Sequence, residues 1–147
     1  MIRNEKEYNE ALARLSTDQD FIVRQRASLE QIGLTPAEVN RAMQPAISFH
    51  AQLEEEVEWY KRVKERDFEV VHSLTDIGHL LIAARIANGL SQRDLAARLN
   101  VSEAQVSRDE RNEYHGVTVD RAQRILDVLE ERVSTRIEPR ERELAPV

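Results

Sequence analysis

Ser91 and Ser102 stand eleven positions apart, and the residues between them leave room for little besides a short helix and a tight turn into a second one. Each serine is a good helix cap, because its hydroxyl accepts from the free amides of a first turn. Leu95, Ala96 and Leu99 follow Ser91 at helical spacing, and Val106 follows Ser102 as an inward-facing residue. Asn100 falls where the first helix must stop. Asparagine tolerates the left-handed conformation that such a turn needs and that is usually left to glycine. Val101, apolar and next in line, is expected to plug the gap between the two helices. The stretch from Gly89 to Glu113 is therefore the part of the chain that the rest must accommodate.

The surroundings are helical too. Ala, Leu, Glu, Arg and Gln dominate the 147 residues, with only four Gly, four Pro and 5% aromatic residues. Such a composition predicts an all-α protein. With no Cys, neither a disulfide framework nor a thiolate metal site can be built. The N-terminal MIRNEKEYNE is charged and lacks the apolar segment of a secretory signal. No apolar run reaches the ~18 residues of a membrane span. The expectation is a cytoplasmic protein with no membrane partner.

Net charge is −6, which gives no global attraction to phosphates. The charge is uneven: residues 1–72 carry ten Lys or Arg against fourteen acids, whereas Ile77–Val128 carries seven Arg, no Lys and seven acids. Arg is the planar donor suited to phosphates and guanine edges. A nucleic-acid binder of this kind must use a local patch.

Along the chain, Asn4 caps a first helix with Glu5 and Glu7 in its first turn. Tyr8, Leu15, Ile22 and Leu29 recur every seven residues, a heptad-like stripe. Ser16-Thr17-Asp18 predicts a short break with a new cap at Thr17 or Asp18, and Gly33 ends the helix. Thr35-Pro36-Ala37-Glu38 combines a cap, Pro at the first helical position and the Glu of a capping box. Pro45 is expected to kink or restart that helix. Phe49, Leu53, Val57, Tyr60 and Val63 then form one apolar face. Two stripes joined by a short loop predict an antiparallel hairpin over residues 1–72, for oligomerisation or partner binding. Residues 67–75 read as a connector, with Thr75 capping the next helix. Helices are predicted at 76–88, 91–99, 102–112 and 118–131, with the apolar pattern running on through Val133 and Ile137 to a stop at Pro139. Residues 139–147 form a charged tail.

The spacing of GLSQRDLAARLNVSEAQVSRDE is that of a helix-turn-helix. It resembles the Xre/Cro/phage-repressor family through Arg85, Leu90-Ser91-Gln92, Leu95-Ala96, Leu99, Val101-Ser102, Val106-Ser107-Arg108 and Glu110. The resemblance covers roughly residues 76–130. It implies a lambda-repressor-like five-helix domain over 73–138 that binds double-stranded DNA, with the second motif helix, 102–112, in the major groove. IRNEKEYNEALARL and the hairpin after it are similar to the leaders of Xre-type regulators, including those encoded with toxins.

The resemblance also implies roles. Gln92 would contact a phosphate and buttress the reading side chains. Ser102, Glu103, Ala104 and Gln105 would approach base edges. Arg108 would pair with guanine or phosphate, Ser107 would donate to a phosphate, and Arg111, Asn112, Tyr114 and the amides around Gly116 would grip the backbone. Arg85 and Glu110 match an internal salt bridge. Three features depart from the family pattern. Glu103 is a carboxylate that repels phosphate but can accept from cytosine N4. Asp109 and Glu113 add negative charge, and Asn100 replaces the usual Gly.

No enzyme is expected, since no nucleophile setting and no phosphate-cradling Gly loop occurs. His50 with Glu54, and the single E-x-x-H of Glu69 and His72, fall short of a dimetal bundle, which needs two such motifs; no metal or cofactor is expected. The resulting expectation is an Xre-type transcriptional regulator acting as a homodimer. Its alternative is an antitoxin that binds a toxin and autoregulates its operon. The faces offered for dimerisation are the hairpin stripe and Ile125–Ile137.

Overall fold

A computed structural model describes residues 1–139, and all regular structure among them is helical. Helices α1 (Glu5–Gln31) and α2 (Pro36–Lys64) form the expected antiparallel hairpin. Asn4 caps α1 by accepting from the Glu7 amide. Thr35 and Glu38 close a full capping box at the start of α2. Gly33, at φ +90°, makes the left-handed reversal between them.

Two expected interruptions are absent. Helix α1 runs unbroken through Ser16-Thr17-Asp18, because the Thr17 hydroxyl turns back to the Ala13 carbonyl instead of capping a new start. Helix α2 runs through Pro45 without a restart. Pro45 removes one backbone donor, and packing on both sides of it, at buried Met43 and half-buried Ile47, holds the helix together.

A single-turn 3-10 helix, Leu74–Asp76, ends the connector and leads into α3 (Ile77–Ala87). Ser73, not Thr75, supplies the capping oxygen here, and Asp76 precedes α3 without a side-chain cap bond. Helices α4 (Gln92–Leu99), α5 (Glu103–Arg111) and α6 (Val119–Val128) complete the bundle. The C-terminal unit thus has four α-helices where five were expected. Helix α6 stops at Val128, with Glu130 in the left-handed region, and residues 131–139 carry no regular structure. Val133 and Ile137 are exposed there, Ile137 at 99%, so the pattern past Leu129 finds no surface to bury and the helix has nothing to gain by continuing. Part of the predicted tail, residues 140–147, lies outside the described residues.

One core joins the two parts. Ile2, Ala11, Val57, Tyr60 and Val63 from the hairpin pack in the same cluster as Leu81, Ile82, Leu95, Leu99, Val106, Ile125 and Leu129. Of the Ile125–Ile137 face, Ile125 is 0% exposed and belongs to this core, whereas Val133 and Ile137 are exposed. The hairpin's far end is different. Val39 and Met43 are buried there, while Phe21 and Val23 are 50% and 58% exposed; nearer the shared core, Leu12 and Phe49 are 42% and 48% exposed.

Gly78 shows how tightly the bundle closes. A Cβ on it would lie 1.8 Å from the Glu113 carbonyl oxygen, so the start of α3 touches the backbone turn after α5. That turn holds both Glu113 and Tyr114 at positive φ. No helix among the described residues is long and apolar enough to cross a membrane.

Candidate nucleic-acid interface

The α4–turn–α5 unit is assembled as its sequence dictates. The Ser91 hydroxyl accepts from the Asp94 amide, and the Asp94 carboxylate accepts from the Ser91 amide. The carboxylate also accepts from the Ser91 hydroxyl at 2.7 Å, and this bond first, then that from the Ser91 amide, holds the Asp94 carboxyl below its ordinary value. Asn100 ends α4 at φ 56°, ψ 45°, and the Val101 amide closes back on the Ala96 carbonyl at 3.0 Å. Ser102 caps α5 by accepting from the Gln105 amide at 3.2 Å. Leu95, Ala96, Leu99 and Val106 fill the angle between the helices. Val101 does not: it is 39% exposed, because the turn that buries Leu99 directs the next residue outward.

Helix α5 buries Val106 and Glu110, four residues apart on one face. Arg108 lies two positions from each and therefore on the opposite side. The exposed side of α5 and its flanks carries Ser102, Glu103, Ala104, Arg108, Arg111 and Asn112, with Gln105 and Ser107 half-buried beside them. Gln92, half-buried at the start of α4, points its amide inward: its Nε2 donates to Glu110 Oε2 at 2.7 Å.

Tyr114 is the exception among the expected surface residues. It is 5% exposed, its ring seated in the core behind α5, and burial first, then the Glu110 charge, drives its phenol pKa upward. The left-handed turn at Glu113 and Tyr114 folds the ring inward, so the ring of Tyr114 is part of the core rather than an exposed surface.

Arg85 and Glu110 are 2% and 0% exposed. Glu110 accepts from Arg85 Nε and Nη2 at 2.5 and 2.7 Å, as well as from Gln92. Arg85 also donates to the Leu90 carbonyl at 2.7 Å and the Arg3 carbonyl at 3.2 Å. A single guanidinium thereby ties α3, the approach to α4, α5 and the N-terminal segment together. With four of the five guanidinium N–H donors and both carboxylate oxygens bonded, the pair meets the condition under which a buried ion pair is tolerated.

The arginines of Ile77–Val128 divide by partner. Arg98 donates to the Val128 carbonyl and Arg124 to the Leu99 carbonyl, so both close helix ends. Arg93 lies on Glu103 at 3.2 Å, and Arg121 pairs with Asp109. Sequence reasoning missed these two pairings. They matter because each offsets a carboxylate beside the reading face. Arg108 donates only to the neutral Gln105 amide oxygen, at 2.8 Å. Arg111 has no ion-pair partner among the described residues. The positive charge left over is therefore placed on the outward side of α5. Ser91-x-x-Asp94 was a readable capping box, whereas the Arg93–Glu103 pair depends on the angle between two helices.

No metal-holding group of three or more His, Cys, Asp or Glu stands together among the described residues. No curated protein and no solved structure matches the chain. The helix-turn-helix family does match, over residues 81–134, from the second turn of α3 to just past α6. That family is a DNA-binding regulatory one and not an enzymatic one. The matched segment, folded into the expected bundle, is similar to the Xre/lambda-repressor-like helix-turn-helix family.

Proposed function

We propose that the protein is a sequence-specific transcriptional regulator of the Xre type that reads the DNA major groove with α5. The observation that carries this reading is the outward side of α5, where Arg108 and Arg111 stand without acidic partners opposite the buried Val106 and Glu110. Arg108 reaches a base edge or phosphate, and Ser102, Glu103, Ala104 and Gln105 face the bases beside it. Gln92, Ser107, Arg111 and Asn112 fix the register on the backbone. Gln92, bonded on one side to Glu110, is held in place for that role.

One such unit makes few base contacts, so the regulator acts as a homodimer on half-sites about 34–36 Å apart or a multiple of that. Its dimer surface is the hairpin of residues 1–72, on the side of α1 that carries Arg14 and Phe21, where Phe21 and Phe49 stay 50% and 48% exposed and a second copy would cover them. Arg14 over the Phe49 ring, at 4.6 Å, gives that patch a partly polar rim. The same exposed residues favour the second reading, an antitoxin that covers a toxin with this hairpin. Sedimentation of the isolated chain separates the two: self-association abolished by Phe21→Ser supports the homodimer, and a chain that stays monomeric supports the antitoxin.

The regulator reading is tested by incubating the full chain with randomised duplex DNA at low salt. Enrichment of a two-fold-related motif supports it. No enrichment above the input pool overturns it.

A further inference from the structure

A cavity of about 340 Å³ lies where the hairpin meets the reading face. It is lined from the hairpin side by Arg3, Glu5, Tyr60 and Lys64, and from the helix-turn-helix side by Gln92 and Glu103. Most charges along it are compensated. Glu5 accepts from the Tyr60 hydroxyl at 3.0 Å and faces Lys64 at 3.8 Å. Burial, reinforced by the Glu5 bond, pushes the Tyr60 phenol up to about 12, so it stays a neutral donor. Glu103 is paired with Arg93, and the Arg85 guanidinium at the cavity wall with Glu110.

Arg3 is the remainder. Its backbone amide donates to Glu7, but its side chain has no ion-pair or hydrogen-bond partner among the described residues, and its Nε is buried without one. The buried Nε is out of reach of an incoming group, whereas the two Nη groups are neither buried nor bonded among the described residues and are open to an acceptor. Arg3 has no ion-pair partner among the described residues, the acid beside it, Glu7, bonding to its own amide, and the cavity it lines is bordered by Gln92 and Glu103, which the proposed function turns to DNA. Guanidinium forks match phosphate oxygens.

We infer that Arg3, presented by the N-terminal segment in this cavity, takes a phosphate of the DNA backbone, so that the hairpin part of the chain contributes to DNA binding directly. This rests on the regulator reading above. Neither Arg3 nor Lys64 falls in the segment 81–134 that matches the helix-turn-helix family, so the contact is an addition by this chain.

The test measures binding of the full chain, Arg3→Ala and Arg3→Lys to the enriched duplex and to a scrambled one, over a series of salt concentrations. One lost phosphate contact lowers the slope of log K against log salt by about 0.9. For Arg3→Ala we expect that change, roughly 3- to 10-fold weaker binding to both duplexes alike, and an unchanged enriched motif. Arg3→Lys should recover most of the slope. Wild-type affinity and slope in Arg3→Ala, with DNA binding intact, overturn this inference and leave the regulator reading standing. A chain that enriches no DNA overturns both. A third arm adds inorganic phosphate at constant ionic strength. If phosphate raises the melting temperature of the wild type but not of Arg3→Ala, while DNA affinity is the same for both, the cavity holds a free anion and the DNA assignment fails.

Discussion

Arg85 and Glu110, twenty-five residues apart in sequence, meet inside the core in a two-point bond that also captures the Gln92 amide. Removing one partner strands the other. Glu110→Ala should cost about 3–5 kcal/mol, read as a shift in the urea midpoint, because it leaves a buried guanidinium uncompensated. The apolar double variant Arg85→Met with Glu110→Leu should recover most of that loss. It would still weaken DNA binding, because Gln92 loses its anchor. If the double variant is as unstable as Glu110→Ala, the cost comes from packing and not from charge.

Gly78 faces the Glu113 carbonyl at a distance no side chain can share. Gly78→Ala must push α3 away from the turn after α5, and overpacking of this kind costs about 1–3 kcal/mol or more. The turn carries Tyr114 into the core, so the variant should also expose that ring to solvent quenchers. Wild-type stability in Gly78→Ala would mean that the approach of α3 to Glu113 is looser than described.

Of three carboxylates among the described residues that titrate below their ordinary values, Glu131 and the two that close capping boxes, the capping pair ties helix stability to acid pH. Asp94, through the Ser91 hydroxyl and then its amide, and Glu38, through the Thr35 amide and then its hydroxyl, both titrate below their ordinary values. A folded pKa below the unfolded one stabilises at pH above the unfolded value and ceases to do so as pH falls through the folded value. The ordinary values are 3.8 for Asp94 and 4.5 for Glu38, so the loss sets in below about pH 4.5. Denaturation followed from pH 6 to pH 2.5 should show it. In Asp94→Ala with Glu38→Ala the protein starts less stable and declines less steeply. Parallel declines would show that other groups carry the acid sensitivity.

Val101 and Leu95 separate what the turn needs from what it only tolerates. Val101→Ser, at an exposed position, should change stability by no more than about 0.5 kcal/mol. Leu95→Ala, at 0% exposure, should cost about 2–5 kcal/mol. Equal effects on thermal unfolding would restore Val101 as a plug.

The caps made this fold readable. Asn4, Thr35, Ser91, Ser102 and Thr118 each act through bonds to residues within three positions, and such local chemistry is written in order along the chain. The left-handed turn at Asn100 was legible for the same reason. What misled was continuity and direction. Pro45 and Ser16-Thr17-Asp18 look like breaks only if packing across the hairpin is left out. Val133 and Ile137 look like helix only if the surface they would need is assumed. Tyr114 looks like a surface grip until the backbone at Glu113 and Tyr114 turns left-handed and folds its ring inward. On the candidate site, spacing separated Arg108 from Val106, while the inward place of Glu110 came from the family resemblance. The pairings that decide its charge, Arg93 with Glu103 and Arg121 with Asp109, join separate elements and have no local signature.

The central claim is that α5 reads DNA through Arg108. Its most direct test is parallel selection from randomised duplexes by the wild type and by Arg108→Ala, with melting temperatures matched beforehand. The account predicts that the variant still binds, with affinity lower by about 1–3 kcal/mol, and that its enriched motif loses preference at one position in each half-site. An identical motif enriched to the same extent by Arg108→Ala would contradict it.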